Sequence, residues 1–209
     1  MLNLRKLKNN DKLIIRLNKD NIDYYLKSTK RIIRYCDNKN LYLVLYYNNK
    51  ILDKYNFNSK KDNIIRDFIT IMMAINIKDK YKRYEYIYDT VCSYLDEEIK
   101  TKNYCEFIND ICIRDRLKGS NHKNGCCECV GRGKCRYLIN SICTEKSCMA
   151  CKLFTCKTLS DRGIKYNINS FLLIKYFFTN KQKDILRFSY WTPKEIVLER
   201  LIKNKYVRP

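Results

Sequence analysis

Residues 121–159 read NHKNGCCECVGRGKCRYLINSICTEKSCMACKLFTCKTL, and eight of the chain's 12 cysteines fall within them. These are Cys126, Cys127, Cys129, Cys135, Cys143, Cys148, Cys151 and Cys156. Gly119, Gly125, Gly131, Gly133 and Gly163, all the glycines of the chain, lie in or beside the stretch. Soft sulfur donors at this density, on a backbone free to turn sharply, point to a metal-centred loop module. Four thiolates satisfy tetrahedral zinc, and four satisfy a cubane iron–sulfur cluster.

A disulfide framework would need export. The N-terminal MLNLRKLKNNDKL has no continuous apolar core of a signal peptide. No apolar run approaches membrane-spanning length; Phe171 to Phe178 is eight residues with Lys175 inside it. The expectation is a cytoplasmic protein without membrane insertion, its thiols reduced and available to metal.

The spacing is Cys126-Cys127-x-Cys129-x5-Cys135-x7-Cys143-x4-Cys148-x2-Cys151-x4-Cys156. Cys-Cys near Gly125, Cys135-Arg-Tyr-Leu, Cys143-Thr and Cys151-Lys-Leu-Phe-Thr-Cys156 together resemble the YkgJ-type cysteine-cluster family, a zinc- or iron-chelating group. The resemblance covers roughly residues 125–157. It departs from the family pattern where Ser147-Cys148 replaces the usual Arg-Pro, and in the short spacer before Cys135. It implies Cys127, Cys135, Cys143 and Cys151 as ligands, with Cys126, Cys129, Cys148 and Cys156 as secondary candidates. A related arrangement in flagellin lysine methylases is associated with an iron–sulfur cluster, which tilts the expected cofactor from zinc toward iron–sulfur. Cys148-x2-Cys151 is followed by Lys-Leu-Phe, without the glycine of an ordinary zinc knuckle. The sole histidine, His122, reads as an exposed loop residue.

Cys36, Cys92, Cys105 and Cys112 lie outside the segment and read as small buried residues.

The charge is +21 over 209 residues. Residues 121–209 carry +12 of it, against +9 for the longer stretch 1–120. Arg132, Lys134, Arg136, Lys146, Lys152 and Lys157 are interleaved with the sulfurs. Cations there lower thiolate pKa or contact phosphates. The partner expected on charge is nucleic acid or an acidic nucleoprotein complex. The abundance of Lys, Asn, Ile and Tyr equally fits AT-rich coding.

The expected fold is α+β and mostly α-helical. A strand is predicted at 12–17 and a helix at 20–35 with Tyr24, Tyr25, Ile32 and Ile33 inward. A β-hairpin spans 41–55, because Asn48-Asn49 separates two apolar runs and Asn tolerates the positive φ of tight turns. Apolar three-to-four spacing from Ile64 to Met73 predicts a helix over 59–76. Further helices are predicted over 79–100, with Asp96, Glu97 and Glu98 fanned on a solvated face, and over 103–117. Residues 168–178 read as a buried helix capped by Ser170 or Asn169, and 181–190 as helical or irregular. Thr192-Pro193-Lys194-Glu195 reads as a capping box opening a helix over 193–204. The segments divide as 1–58, 59–118, 119–163 for the cysteine module, and 164–209, expected to form one compact body.

No catalytic constellation is visible: one histidine, no phosphate loop, no dinucleotide fingerprint. Three readings follow. The first is a basic protein whose structural metal cluster stiffens a surface for nucleic acid. The second is an interaction protein of phage or mobile-element type that modulates a host enzyme. The third is an iron–sulfur redox or methyl-transfer enzyme.

Overall fold

The computed structural model describes residues 7–9, 11–52, 63–102, 107–108, 111–112, 138–139, 142–143, 148–155 and 157–204. Among the described residues helix predominates, with one three-stranded sheet and two short two-stranded ladders. The chain forms two compact units. The first is Met1–Ile87 with Phe171–Thr179; the second is Tyr88–Ser170 with Asn180–Pro209. The division does not follow the sequence blocks: residues 171–179, placed by sequence in a C-terminal helical block, belong to the first unit.

In the first unit, β1 (Lys12–Leu17) alternates exposed and buried residues without a break, with Leu13, Ile15 and Leu17 inward. α1 (Ile22–Asn38) returns the chain, and β2 (Tyr42–Tyr47) pairs with β1 in parallel, from Lys12 opposite Tyr42 to Leu17 opposite Tyr47. A 17-residue helix spans about 25 Å and a six-residue strand about 20 Å, so α1 is long enough to carry the chain back to the start of the sheet. Thr29, Ile32, Ile33 and Cys36 form the buried stripe of α1. Tyr24 was expected inward but is exposed. At about 100° per residue it falls on the far side from that stripe.

β3 (Lys50–Ile51) closes the predicted hairpin, with Tyr46 opposite Ile51 and Tyr47 opposite Lys50. Asn48 and Asn49 sit at φ 47° and 64°, the left-handed pair that a two-residue type I′ turn requires. The predicted extension of the hairpin to 55 lies outside the described residues.

α2 (Asn63–Asn76) buries Ile65, Phe68, Ile69, Ile71, Met72 and Ile75, while Ile64 stays exposed. Its last residue performs a structural task. The Asn76 amide accepts the Leu43 N–H at 2.7 Å and donates to the Leu43 carbonyl at 2.9 Å. Asn76 thus pairs both backbone polar groups of Leu43 on the β2 side away from β1. α6 (Leu172–Phe177, numbered in chain order) packs on α1 and α2, and the Tyr176 hydroxyl donates to the Leu26 carbonyl.

α3 (Lys80–Lys102) contributes residues 80–87 to the first unit and the remainder to the second. Val91, Cys92 and Leu95 are buried there. The chain then makes two ladders, β4 (Phe107–Ile108) with β5 (Ile111–Cys112) and β6 (Leu138–Ile139) with β7 (Ile142–Cys143). β4 and β5 overturn the helix predicted over 103–117. A 3.6-residue stripe through Ile108, Ile111 and Cys112 is also satisfied by a short hairpin, since short apolar runs fit both periods.

α4 (Met149–Leu153), α5 (Lys157–Asp161), α7 (Asn180–Phe188) and α8 (Lys194–Lys203) complete the second unit. α4 and α8 both pack on α7, around Met149, Ile185, Leu186, Val197, Leu198 and Leu201. The buried Gln182 amide donates to the Leu201 carbonyl at 2.9 Å, satisfying one of the orphan acceptors in the last turns of α8.

Two predicted caps are not made. The chain enters α6 through a separate 3-10 turn (Ile168–Ser170), and the N-cap is Phe171 with no side-chain hydrogen bond. α8 begins at Lys194 after Pro193, again without a side-chain cap; the Thr192 hydroxyl instead donates to the Tyr190 carbonyl at 3.2 Å. Among the described residues no helix is long and apolar enough to cross a membrane.

Candidate metal centre

Of the eight clustered cysteines, Cys148 and Cys151 have described side chains, and the fold brings them together. Cys148 immediately precedes α4, and Cys151 lies one turn into it. One helical turn stacks residues three apart, so the sulfurs lie 3.2 Å from each other, unbonded. A tetrahedral zinc with bonds of about 2.3 Å needs its sulfurs about 3.8 Å apart, so a small rotamer adjustment suffices to seat a metal between them.

The environment of Cys148 favours the thiolate. Its thiol is brought down to about 6, first by the hydrogen bond from the Cys151 thiol, against the opposing effect of burial. Backbone N–H groups of Cys151, Trp191 and Thr192 also point at this sulfur. Trp191 adopts φ 53°, rare for a non-glycine residue. In such a left-handed turn successive N–H groups converge into a concavity that holds an anion. Thr192 and Pro193, read from sequence as a capping box, thus belong to a turn whose backbone cradles a sulfur.

The surroundings keep the pair in place. The Tyr88 hydroxyl accepts the Met149 N–H at 2.8 Å, which ties α4 to α3. Burial, then neighbouring Cys92, raises the Tyr88 phenol well above its ordinary value, so it stays a neutral hydrogen-bonding group. Cys92 is buried and its thiol is pushed up to about 12, mainly by burial. Cys36, in the first unit, is fully buried and raised to about 11, again mainly by burial. Both behave as the packing residues expected of them. The contrast with Cys148 is physical: all three are buried, but convergent N–H donors act only on Cys148.

Lys152 is a correction. It was expected on a basic rim facing an anionic partner, yet its side chain is fully buried and its ammonium donates to the Asp96 carboxylate. One turn of α4 directs residue 152 inward with Met149, and Asp96 on α3 meets it there. Asp96, read from sequence on a solvated face, keeps 31% of its side chain exposed while turning to this ammonium. Phe154 is exposed and makes an edge contact with Tyr190, ring centroids 6.5 Å apart.

Cys126, Cys127, Cys129, Cys135 and Cys156, with Arg132, Lys134, Arg136 and Lys146, lie outside the described residues, as do His122 and Cys105. Cys143 is located by its backbone in β7, and Lys157 by its backbone at the start of α5. Among the described residues no group of three or more His, Cys, Asp or Glu side chains converges.

No protein-family profile, curated protein sequence or solved structure matches the chain. The likeness to the YkgJ-type cysteine cluster therefore rests on its motif residues alone.

Proposed function

We propose that this is a small basic metal–thiolate protein whose centre is structural and which presents a basic surface to nucleic acid or a nucleoprotein complex. Cys148 and Cys151 supply two ligands, and the cysteines between 126 and 143 supply the others. The carrying observation is the convergence of the Cys151 thiol and three backbone N–H groups on the buried Cys148 sulfur. Thiolate is the metal-binding form, and a protein that prepays its burial with hydrogen bonds is preorganised for metal.

The chemistry of the donors suits both an iron–sulfur cluster and zinc, with the motif resemblance favouring iron–sulfur. A structural role follows from burial: Cys148 is 3% exposed, which leaves a bound metal little access to substrate from that side. The basic-surface half of the reading rests on the net charge of +21.

Anaerobic purification followed by metal analysis and a visible spectrum tests the centre. The expected result is stoichiometric zinc or iron in the parent protein and loss of metal in Cys148→Ser and Cys151→Ser. Metal-free parent protein with a Cys148–Cys151 disulfide would replace the metal reading with a thiol-redox one. Titration with mixed-sequence oligonucleotides tests the surface: binding should weaken steeply with salt, and absence of binding at low salt would remove nucleic acid as partner.

A further inference from the structure

The open face of the β1–β2–β3 sheet combines features that the cysteine motif does not use. Alternation along β1 puts Lys12, Ile14 and Arg16 on this face, opposite the buried Leu13, Ile15 and Leu17. The parallel register places Tyr42, Val44 and Tyr46 beside them, row by row, and Ile51 beside Tyr46. Ile14, Tyr42 and Ile51 are 45%, 44% and 48% exposed, three of the large apolar side chains most open to solvent.

Each tyrosine has a cation at its ring. The Arg16 guanidinium lies 5.3 Å from the Tyr46 centroid and the Lys78 ammonium 4.7 Å from that of Tyr42. Lys78 is anchored by the Leu41 carbonyl and by that of Ile75 at 3.3 Å, which fixes its charge beside the sheet. None of the seven described residues of the face is acidic.

We infer that this face binds single-stranded nucleic acid, with Tyr42 and Tyr46 as stacking platforms and Lys12, Arg16 and Lys78 at the phosphates. This inference deepens the nucleic-acid half of the proposed function and rests on it, but not on the metal. Charge complementarity selects a polyanion. The rings select an unpaired strand, because bases stacked within a duplex cannot lie on a side chain. Tyr42 and Tyr46 are four residues apart on one strand, about 13 Å, so the two platforms serve separate bases of one strand.

The test is fluorescence anisotropy of the full chain with a labelled mixed-sequence 12-mer, single-stranded and as duplex, across a salt series. The parent should bind the single strand at least tenfold tighter than the duplex. Tyr42→Ala and Tyr46→Ala should each weaken single-strand binding about tenfold, and Tyr42→Phe should retain it. Lys12→Gln and Arg16→Gln should each lower the salt slope by about 0.7. Lys27→Gln, an exposed change on α1, serves as control and should change neither the preference for single strand nor the effect of the tyrosine variants. These side chains point to solvent, and far-UV circular dichroism verifies that the variants keep the fold.

If the parent binds no oligonucleotide, the face and the basic-surface reading fall together. If it binds and the face variants match the parent, the face assignment alone falls. Equal binding of duplex and single strand overturns the stacking role and leaves a general polyanion surface.

Discussion

Replacing Asp96 by Asn isolates the energetics of the buried Lys152 ammonium. The Lys152 side chain is 0% exposed and the Asp96 side chain 31%. At a charge separation of about 4 Å and an effective dielectric near 20, the Coulomb attraction is about 4 kcal/mol. Removing one partner of a fully buried pair costs about 3–5 kcal/mol, because the remaining charge is left without compensation. The partial exposure of Asp96 admits water and screens the pair, and Asn keeps a neutral acceptor, so Asp96→Asn should destabilise the second unit by about 2–3 kcal/mol.

Lys152→Met behaves differently. It removes the charge that cannot reach water and leaves Asp96, which can rehydrate, so its cost should stay below about 1.5 kcal/mol. The double variant should match Lys152→Met. Urea unfolding followed by the fluorescence of Trp191, the chain's one tryptophan and a member of the same unit, reads these differences directly. Oligonucleotide binding should be unchanged in Lys152→Met, since the side chain is not on the surface. An Asp96→Asn variant within about 0.5 kcal/mol of the parent, or one more stable than Lys152→Met, would refute the reasoning.

Three further outcomes are expected. In metal-free, reduced protein the folded Cys148 thiol lies near 6, below its ordinary value of 9.0, so its contribution to stability is present above pH 9 and is lost as pH falls through 6. The unfolding free energy from urea titrations should therefore rise between those limits, by up to a few kcal/mol, and Cys148→Ser should flatten the slope; parallel profiles would contradict it. Asn76→Leu leaves the Leu43 N–H and carbonyl without their partners and should cost about 2–4 kcal/mol, with faster hydrogen exchange at Leu43. Asn49→Gly relieves the φ 64° position of the hairpin turn and should stabilise the first unit by up to about 1 kcal/mol, read by thermal melting.

Local pattern was legible wherever one residue period held over several turns. The short apolar run in 12–17 announced a strand, whose alternation only burial reveals, and the Asn48-Asn49 pair announced the hairpin turn. Apolar spacing around Val197, Leu198 and Leu201 announced α8, even though its expected cap does not form. The helix expected over 103–117 is replaced at 107–108 and 111–112 by a ladder, because its short apolar runs fit a helical and a two-residue period alike.

The sequence by itself determined the chemistry available to this protein: sulfur crowded into residues 126–156, a +21 charge, and helices joined to a small sheet. It also placed Cys151 and, secondarily, Cys148 among the candidate ligands; the helix that starts at Met149, which the pattern did not announce, is what brings the two sulfurs together. Tertiary structure decided everything that depends on segments remote in sequence. It paired β1 with β2, turned Lys152 inward onto Asp96, 56 residues away, and used Trp191 and Thr192 N–H groups to hold the Cys148 sulfur. Side-chain identity cannot announce such partners, because a backbone N–H is the same group in nearly every residue and only the path of the chain aims it.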